Sequence, residues 1–552
     1  MPAVFSAAEQ ADSGLAHGYH HRTASNVSAP GHGHVPSQAG IDVLRAGGSA
    51  IDAAIAASAT LAVIYPHMTG VGGDAFWLIY DAKADAVRHL NGGGKAARSA
   101  DLQWFTDRGL SEIPYRGAIP ATLTVPGSVA SWCEARRTYG KVPLERCLEA
   151  AIDYAEHGFP VTERLASWIS LTSEDLQRSP EAAAIFLATG AQPKPGTVLK
   201  NPDLARTLQA LASSGAAGFY EGEIADELTH FARTNDGFFD REDLRNQNAE
   251  WSDPISVTYR DVTIFETPAP TQGFTVLQML KLLEPYELSK RPFLGPDHVH
   301  LMVQAKQLAY HDRDRWLADP RFVDVPIEQL LSDRYLAKRR ELIDLDRAIP
   351  WDQVPSYGSL AGDTIYIAAI DQEGNAASLI QSLYWGFGSA VVAGRTGVVL
   401  QNRAAYFSLS LSSLNKLEPG KIPQLTLIAS LAFRNHKLWA ILGCMGADGQ
   451  PQIHLQTYLS LLDYGRNIQE ALETPRFLSG RFALGEARDT LHIEARFPEQ
   501  TISELARRGH PIDRWGDWNE LAGHAHGILI APKGGVRAGG SDPRSDGAAI
   551  GY

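Results

Sequence analysis

The segment 362–399 constrains the fold of this chain more than any other part of its sequence. Thr364 opens a run of apolar and β-branched residues, 365–370, that is typical of a buried strand. A turn with the sequence Asp-Gln-Glu-Gly-Asn follows at 371–375, and a second apolar run covers 376–383. Two such runs joined by a short turn that contains Gly and Asn predict an antiparallel hairpin.

Thr364 directly follows an acidic residue, Asp363, at the start of the first predicted strand. This arrangement indicates a self-cleaving hydrolase, in which the threonine hydroxyl attacks the preceding peptide carbonyl and the threonine then becomes a free N-terminus. Its α-amine, with an ordinary pKa of about 8, is then the base that takes the hydroxyl proton. The alternative is a hairpin whose first strand merely begins with Asp-Thr, and the surrounding residues have to decide between the two.

Composition limits the partners of the chain. A net charge of −13 over 552 residues disfavours nucleic acid and anionic membranes as partners. No apolar run of about 18 residues predicts a membrane span, and no secretory signal pattern opens the chain. Three cysteines without paired spacing indicate reduced thiols. These observations predict a soluble, cytoplasmic protein.

The order of apolar patterns predicts an α+β fold. Residues 1–28 are polar and His-rich, which predicts a disordered leader rather than a metal site. Strand patterns occur near both ends, and helical spacing of three and four dominates between 143 and 350. Strands between layers of helices predict a four-layer αββα sandwich. A Pro- and Gly-containing stretch, 346–359, predicts an exposed, mobile loop before the cleavage point. Further strands are predicted at 397–400, 429–433 and 438–442.

With these blocks in view, the chain resembles the γ-glutamyltranspeptidase family of self-processing N-terminal-nucleophile hydrolases, from about residue 29 to 552. Besides the hairpin, the resemblance is carried by SQAGIDVLRAGGSAIDAA at 37–54, GVGGDAF at 70–76, TVPGSV at 124–129, PAPTQG at 268–273 and DPRSDG at 542–547. Within the family, QSLYWGFGS at 381–389 and QNR at 401–403 are most similar to the branch that includes oxamate amidohydrolase.

The resemblance implies a precursor that is cut between Asp363 and Thr364. The products would be a large subunit, 29–363, and a small subunit, 364–552, intertwined in one αββα domain. A homodimer of such heterodimers is an option. The resemblance implies no cofactor, and neither metal-ligand spacing nor a nucleotide-binding glycine motif appears in the sequence.

The resemblance also implies the catalytic residues. Thr364 is the nucleophile, and Ser382 is a second hydroxyl that hydrogen-bonds to it, with a plain strand serine as the alternative. The loop GCMGADGQ at 443–450 is similar to the family's oxyanion loop, whose donors would be the backbone N–H groups of Gly446 and Ala447. The family usually has two glycines here, and an alanine is tolerable if its φ stays negative.

The substrate pocket differs from that of glutathione-cleaving members. The amine-binding positions of the family fall on Tyr384, Arg403 and Tyr406, none of which is acidic. The family's carboxylate-binding arginine falls on Asn91. Arg403 instead offers a planar fork for a small carboxylate, with Asn91 and the two tyrosine hydroxyls as further donors. The alternative is a structural arginine that pairs with a buried Asp.

Two adjacent serines of the family fall on Leu425 and Thr426, in the block QLTLIAS at 424–430. The resemblance implies that Thr426, which keeps a hydroxyl, is a further substrate-binding residue. With Leu425, Ile428 and Ala429, this block is more apolar than is usual in the amidohydrolase branch. A bulkier or more apolar substrate than oxamate therefore remains open.

The leading hypothesis is an amidohydrolase that acts on small carboxylate-bearing, oxamate-like amides through an acyl-threonine that water hydrolyses. The alternative is a γ-glutamyltransferase or glutathione hydrolase, which the absence of amine-binding acids disfavours. A third hypothesis is an unprocessed relative that serves as a scaffold.

Overall fold

A computed structural model describes residues 34–187, 192–349, 363–480, 490–531 and 535–552, together with the backbone of 4–7. Of residue 363 only the backbone is described. Most of the predicted loop 346–359 lies outside these ranges, as does most of the predicted leader.

The strands are β1 Val4–Ala7, β2 Asp74–Asp81, β3 Ala86–Gly92, β4 Phe159–Pro160, β5 Val198–Leu199, β6 Glu250–Ser252, β7 Ile255–Tyr259, β8 Val262–Glu266, β9 Asp363–Ile370, β10 Ala376–Tyr384, β11 Ala429–Arg434, β12 Lys437–Cys444, β13 Phe477–Ser479, β14 Leu491–Glu494, β15 Ile512–Trp515, β16 Ala525–Ile530, β17 Arg537–Ser541 and β18 Ala548–Gly551.

The helices are α1 Val35–Arg45, α2 Ala50–Ile64, α3 Leu102–Thr106, α4 Ala118–Leu123, α5 Ser128–Tyr139, α6 Leu144–His157, α7 Glu163–Leu171, α8 Ser173–Gln177, α9 Pro180–Phe186, α10 Pro202–Ser214, α11 Ala217–Tyr220, α12 Glu223–Thr234, α13 Arg241–Arg245, α14 Gly273–Leu283, α15 Pro296–Trp316, α16 Ile327–Leu330, α17 Asp333–Arg340, α18 Gln450–Leu462, α19 Ile468–Glu473 and α20 Glu499–Arg507.

Two antiparallel sheets form the centre of the molecule. The first sheet has the order β18-β1-β9-β10-β2-β3-β6, and the second has the order β17-β16-β12-β11-β8-β7. Each sheet mixes strands from before and after residue 364. A cut before Thr364 would therefore leave two chains that share both sheets.

Apolar side chains divide the molecule into four layers. One buried cluster lies between the sheets and includes Tyr366 of β9 and Ile441 of β12. A second packs the outer face of the first sheet, including Ile365 and Ile367, against helices such as α2 and α6. A third packs the second sheet against α14, α15 and α18. The predicted four-layer αββα sandwich is confirmed, because both faces of each sheet are apolar and need a cover.

The central hairpin forms as predicted, with β9 and β10 paired antiparallel around the turn at 371–375. The predicted strands at 429–433 and 438–442 are confirmed, and each is slightly longer than expected. The predicted strand at 397–400 is wrong. That segment follows a short 3-10 helix, Gly394–Thr396, and makes only single bridges to other parts of the chain, Gly72↔Leu400 and Val392↔Val399.

Some elements differ from the sequence-based expectation. Val4–Ala7, inside the predicted disordered leader, is a strand that pairs with both β9 and β18. The hairpin β7–β8 interrupts the mostly helical stretch and joins the second sheet. Within the described residues, no helix combines the length and the apolar character needed to cross a membrane.

Candidate active site

Thr364 lies at the start of β9 and is buried, with 2% of its surface exposed. Strand residues alternate between faces, so Thr364 points to the same side as Tyr366, into the layer between the sheets. Tyr366 packs against Gly443 of β12 so closely that a Cβ at Gly443 would overlap its ring. This contact brings the end of β12, and the loop after it, toward the start of β9.

Ser382 faces Thr364 across a bulge in the hairpin. Ile365 pairs with Gln381 and Asp363 pairs with Tyr384, so that one residue of β9 stands opposite two residues of β10. The Ser382 hydroxyl accepts a hydrogen bond from the backbone N–H of Tyr384 at 2.7 Å, which holds the bulge. This register places the two hydroxyl residues that the sequence proposed as a pair on neighbouring strands, at the bulge of the hairpin.

The loop after β12 has an unusual backbone. Gly446 has φ +139°, and Ala447 has φ +46°, which lies in the left-handed region. The condition of a negative φ at Ala447 is therefore not met. A residue with a Cβ adopts this conformation at a cost in free energy, and it persists only where the surroundings hold it. The N–H of Gly449 donates to the Gly446 carbonyl at 2.7 Å and closes the turn.

Arg403 lies in an aromatic pocket. Its side chain is buried, and its guanidinium carbon lies 4.7 Å from the ring centre of Tyr384 and 5.8 Å from that of Tyr406. The two rings lie 4.6 Å apart. The Thr426 hydroxyl accepts a hydrogen bond from Arg403 Nη1 at 3.4 Å. Four of the five proposed substrate-binding residues thus form one group.

Within the described residues, no hydrogen bond joins Asn91 to this group. It is half-buried on β3, which β2 separates from β10. Its Oδ1 accepts the N–H of Gly93 at 2.8 Å, a contact within its own turn.

Arg403 also has an acidic neighbour that the sequence-based reasoning did not identify. Asp74 Oδ2 lies 3.5 Å from Arg403 Nε, and both side chains are 1% exposed. The two atoms do not form a hydrogen bond, and Arg403 Nη2 has no hydrogen-bond partner among the described residues. The alternative interpretation of Arg403, an arginine beside a buried Asp, thus describes part of its surroundings. Asp74 closes the GVGGD motif, which was the available signal.

Burial dominates the electrostatics of this pair. It raises the pKa of Asp74 to about 6, although Arg403, the N–H of Gly94 and the amide of Gln401 all act in the opposite direction. Burial also lowers the pKa of Arg403 from its ordinary value. Each ion is therefore only partly compensated by the other.

A second group of residues that the sequence-based reasoning missed contacts the loop at 446–449. Asp448 accepts a hydrogen bond from the Tyr406 hydroxyl at 3.1 Å and contacts the guanidinium of Arg313. Gln272 donates to the carbonyls of Thr426 and Ala447. Gln272 belongs to the PAPTQG block, so the sequence marked it as part of the family resemblance. The sequence did not indicate which residues it contacts.

No cluster of three or more His, Cys, Asp or Glu side chains suited to a metal ion occurs in the described part of the chain.

Comparison with known proteins identifies the family and several relatives of this chain. A family model described as gamma-glutamyltranspeptidase matches residues 36–552. The glutathione hydrolase-like YwrD proenzyme of Bacillus subtilis is 40% identical over 94% of this chain and 97% of the relative. The oxamate amidohydrolase proenzyme of Klebsiella pneumoniae is 38% identical over 96% of this chain and 99% of the relative. The crystal structure of cephalosporin acylase from Bacillus halodurans superposes with a TM-score of 0.88 at 33% identity, over 100% of this chain and 95% of that one.

Proposed function

Because the chain belongs to the γ-glutamyltranspeptidase family and is a hydrolase of linear amide C–N bonds, we propose that it is a self-processing amidohydrolase with Thr364 as its nucleophile. In the uncut chain, Asp363 continues β9 and pairs with Tyr384. Cleavage between Asp363 and Thr364 would release this pairing and free the threonine amine. The hairpin position of Thr364, opposite Ser382, supports this assignment.

The proposed reaction has two steps. The Thr364 hydroxyl attacks the substrate amide carbon while its proton passes to the free α-amine, and the proton then goes to the departing ammonia or amine. The N–H groups of Gly446 and Ala447 stabilise the oxyanion. Water then attacks the resulting ester, releases the carboxylic acid and restores the hydroxyl.

The observation that carries the substrate proposal is the incomplete hydrogen bonding of the buried Arg403 guanidinium. A fully buried guanidinium with a donor lacking a partner is costly, and a carboxylate is the group that suits its planar fork. Asp74, with its raised pKa, offsets the charge only in part. We therefore propose a small carboxylate-bearing amide as the substrate, and the name of the oxamate amidohydrolase relative is in agreement with this proposal.

One observation favours the second candidate, a γ-glutamyl hydrolase or transferase. Asp74 and Asp448 lie beside Arg403 and Tyr406, and acids are what an α-ammonium group requires. Each carboxylate, however, already faces an arginine, Arg403 and Arg313 respectively. An ammonium group would have to compete with those cations, so this candidate ranks second.

The test combines mass spectrometry with an amide-release panel. The purified protein should contain a small subunit that begins Thr-Ile-Tyr-Ile. Ammonia or amine release should be fastest with oxamate-like amides, slower with uncharged amides of the same size and slowest with a γ-glutamyl anilide. A γ-glutamyl compound as the best substrate would establish the second candidate, and a single uncut chain without activity would favour the scaffold hypothesis.

A further inference from the structure

The loop that carries Gly446 and Ala447 is held by a hydrogen bond from the side chain of Gln272. This residue immediately precedes α14 and is buried, with 1% of its surface exposed. Its Nε2 donates to the carbonyl of Ala447 at 3.0 Å and to the carbonyl of Thr426 at 2.8 Å. Its Oε1 accepts from Arg313 at 2.7 Å. These partners define one orientation, because a rotated amide would place its oxygen against two carbonyl oxygens.

Arg313, on α15, anchors the next residue of the same loop. Its guanidinium contacts the carboxylate of Asp448 and lies 2.8 Å from that of Asp314. The guanidinium carbon lies 4.2 Å from the ring centre of Tyr310, whose hydroxyl donates to the Asp448 carbonyl. Although burial opposes the charged form, the acidic neighbours keep the pKa of Arg313 well above its ordinary value, so that it stays cationic.

The direction of two carbonyls fixes the direction of the neighbouring N–H groups. The carbonyl of Gly446 accepts a hydrogen bond from the N–H of Gly449. The carbonyl of Ala447 accepts one from the N–H of Gln450 and a second from Gln272. In a planar trans peptide the N–H points opposite to the C=O. The N–H of Ala447 therefore points opposite to the Gly446 carbonyl, away from the turn. The Ala447 carbonyl that Gln272 contacts belongs to the next peptide plane, and the left-handed backbone of Ala447 joins these two planes.

We propose that Gln272, supported by Arg313, is a positioning residue that keeps Ala447 in its left-handed conformation and so aims the oxyanion donors. This inference rests on the proposed roles of Gly446 and Ala447. Without the hydrogen bond from Gln272, Ala447 would relax toward a negative φ and turn its N–H.

The same amide ties the loop to the substrate pocket. Gln272 binds the backbone of Thr426, whose hydroxyl contacts Arg403, while Tyr406 binds Asp448. Movement of the pocket wall is thereby transmitted to the loop through two hydrogen-bonded connections. Gln272 does not itself contact the reacting atoms in this proposal.

The test replaces Gln272 with Leu and, separately, with Glu. Glu has nearly the same volume and still accepts from Arg313, but its carboxylate cannot donate to the two carbonyls. In both variants kcat should fall about 30- to 300-fold while KM changes by less than about threefold, because an oxyanion contact acts in the transition state. Rates are expressed per small subunit that begins at Thr364.

Gln278→Leu is the matched control. Gln278 lies on α14, the helix that begins directly after Gln272, and it is fully buried. It also donates from one Nε2 to two acceptors, the Asp312 carboxylate and the Leu330 carbonyl. Its loss should lower the melting temperature but leave kcat within about threefold. Equal losses of kcat in Gln272→Leu and Gln278→Leu would show a merely structural role and overturn the proposal.

A second substitution separates positioning from packing. Glycine adopts a left-handed φ without strain, so that Ala447→Gly in the Gln272→Leu background should restore kcat about tenfold. If Gln272→Leu is not processed, the same comparison applies to the processing rate. A Gln272→Leu chain that Ala447→Gly fails to rescue overturns the inference.

The two proposals fail in different ways. Activity that survives Thr364→Ala would refute the proposed function whatever Gln272 does. Activity that requires Thr364 but is undiminished in Gln272→Glu would refute only the positioning role.

Discussion

The guanidinium of Arg403 and the carboxylate of Asp74 lie 3.5 Å apart in the interior of the protein without a hydrogen bond between the facing atoms. Asp74 stands at the start of β2, on the strand next to β10, and Arg403 enters from the segment that follows the hairpin. The pair places a titratable acid beside the proposed carboxylate site.

This relationship predicts a pH dependence of substrate affinity. The pKa of Asp74 is raised to about 6 because burial disfavours the ionised form. Asp74 therefore contributes most to stability below pH 4 and loses that contribution as pH rises through about 6. Over the same range its negative charge appears and competes for Arg403. When the pH is lowered from 7.5 to 5, the KM of a carboxylated amide should decrease by up to about tenfold, because Asp74 loses its charge. The KM of a neutral amide should stay nearly constant.

Asp74→Asn is the control for this prediction. Its amide oxygen can still accept from Gly94, but the charge is gone at every pH. Steady-state kinetics of this variant should show a low, pH-independent KM for the carboxylated amide. A wild-type KM that rises as the pH falls, or an unaltered profile in Asp74→Asn, would contradict the coupling.

Thr364→Ala should abolish both processing and turnover, since both need the hydroxyl. The side chain is small and buried, so that the fold should persist. A denaturing gel should show one band of the full 59.9 kDa mass, with a cooperative melting transition near that of the wild type. Thr364→Ser keeps a hydroxyl and should process, although more slowly. An alanine variant that is cleaved or active would refute the assignment of Thr364 as the nucleophile.

Ser382→Ala should slow processing about tenfold without abolishing it, because one hydrogen bond of about 1–1.5 kcal/mol is lost. The hydroxyl accepts the Tyr384 N–H and holds the bulge opposite Thr364. Ser378→Ala is the control, since Ser378 lies on the same face of β10 and bonds Tyr366. A time course on gels should show that Ser378→Ala processes at nearly the wild-type rate. Equal rates in both variants would assign Ser382 a structural role only.

Arg403→Leu should lower kcat/KM for carboxylated amides about ten- to a hundredfold, which corresponds to a charge-assisted contact of about 1.5–3 kcal/mol. Neutral amides should be nearly unaffected. Because the single change leaves Asp74 without its cation, the measurement is made in the Asp74→Asn background as well. Undiminished turnover of carboxylated amides in both backgrounds would show that Arg403 does not bind the substrate.

Local sequence patterns determined the architecture and the position of the proposed nucleophile. Alternating and continuous apolar runs around a five-residue turn identified the hairpin, and the Asp-Thr step marked its start, because these features depend on neighbours in the chain. The error at 397–400 has the same origin: a short apolar run predicts a strand, but only a partner strand can satisfy its backbone hydrogen bonds. In the structure, that segment makes bridges instead.

The tertiary structure decided the surroundings of the proposed site. Asp74 reaches Arg403, and Gln272 reaches Ala447, only because two sheets and a helix from distant parts of the chain pack together. The left-handed φ of Ala447 was likewise unexpected, since a residue with a Cβ favours negative φ. Besides the hydrogen bonds within the turn, this residue has a contact from the distant Gln272 that the sequence does not indicate. Charge, burial and backbone strain depend on what lies nearby in space, and a linear sequence does not specify those neighbours.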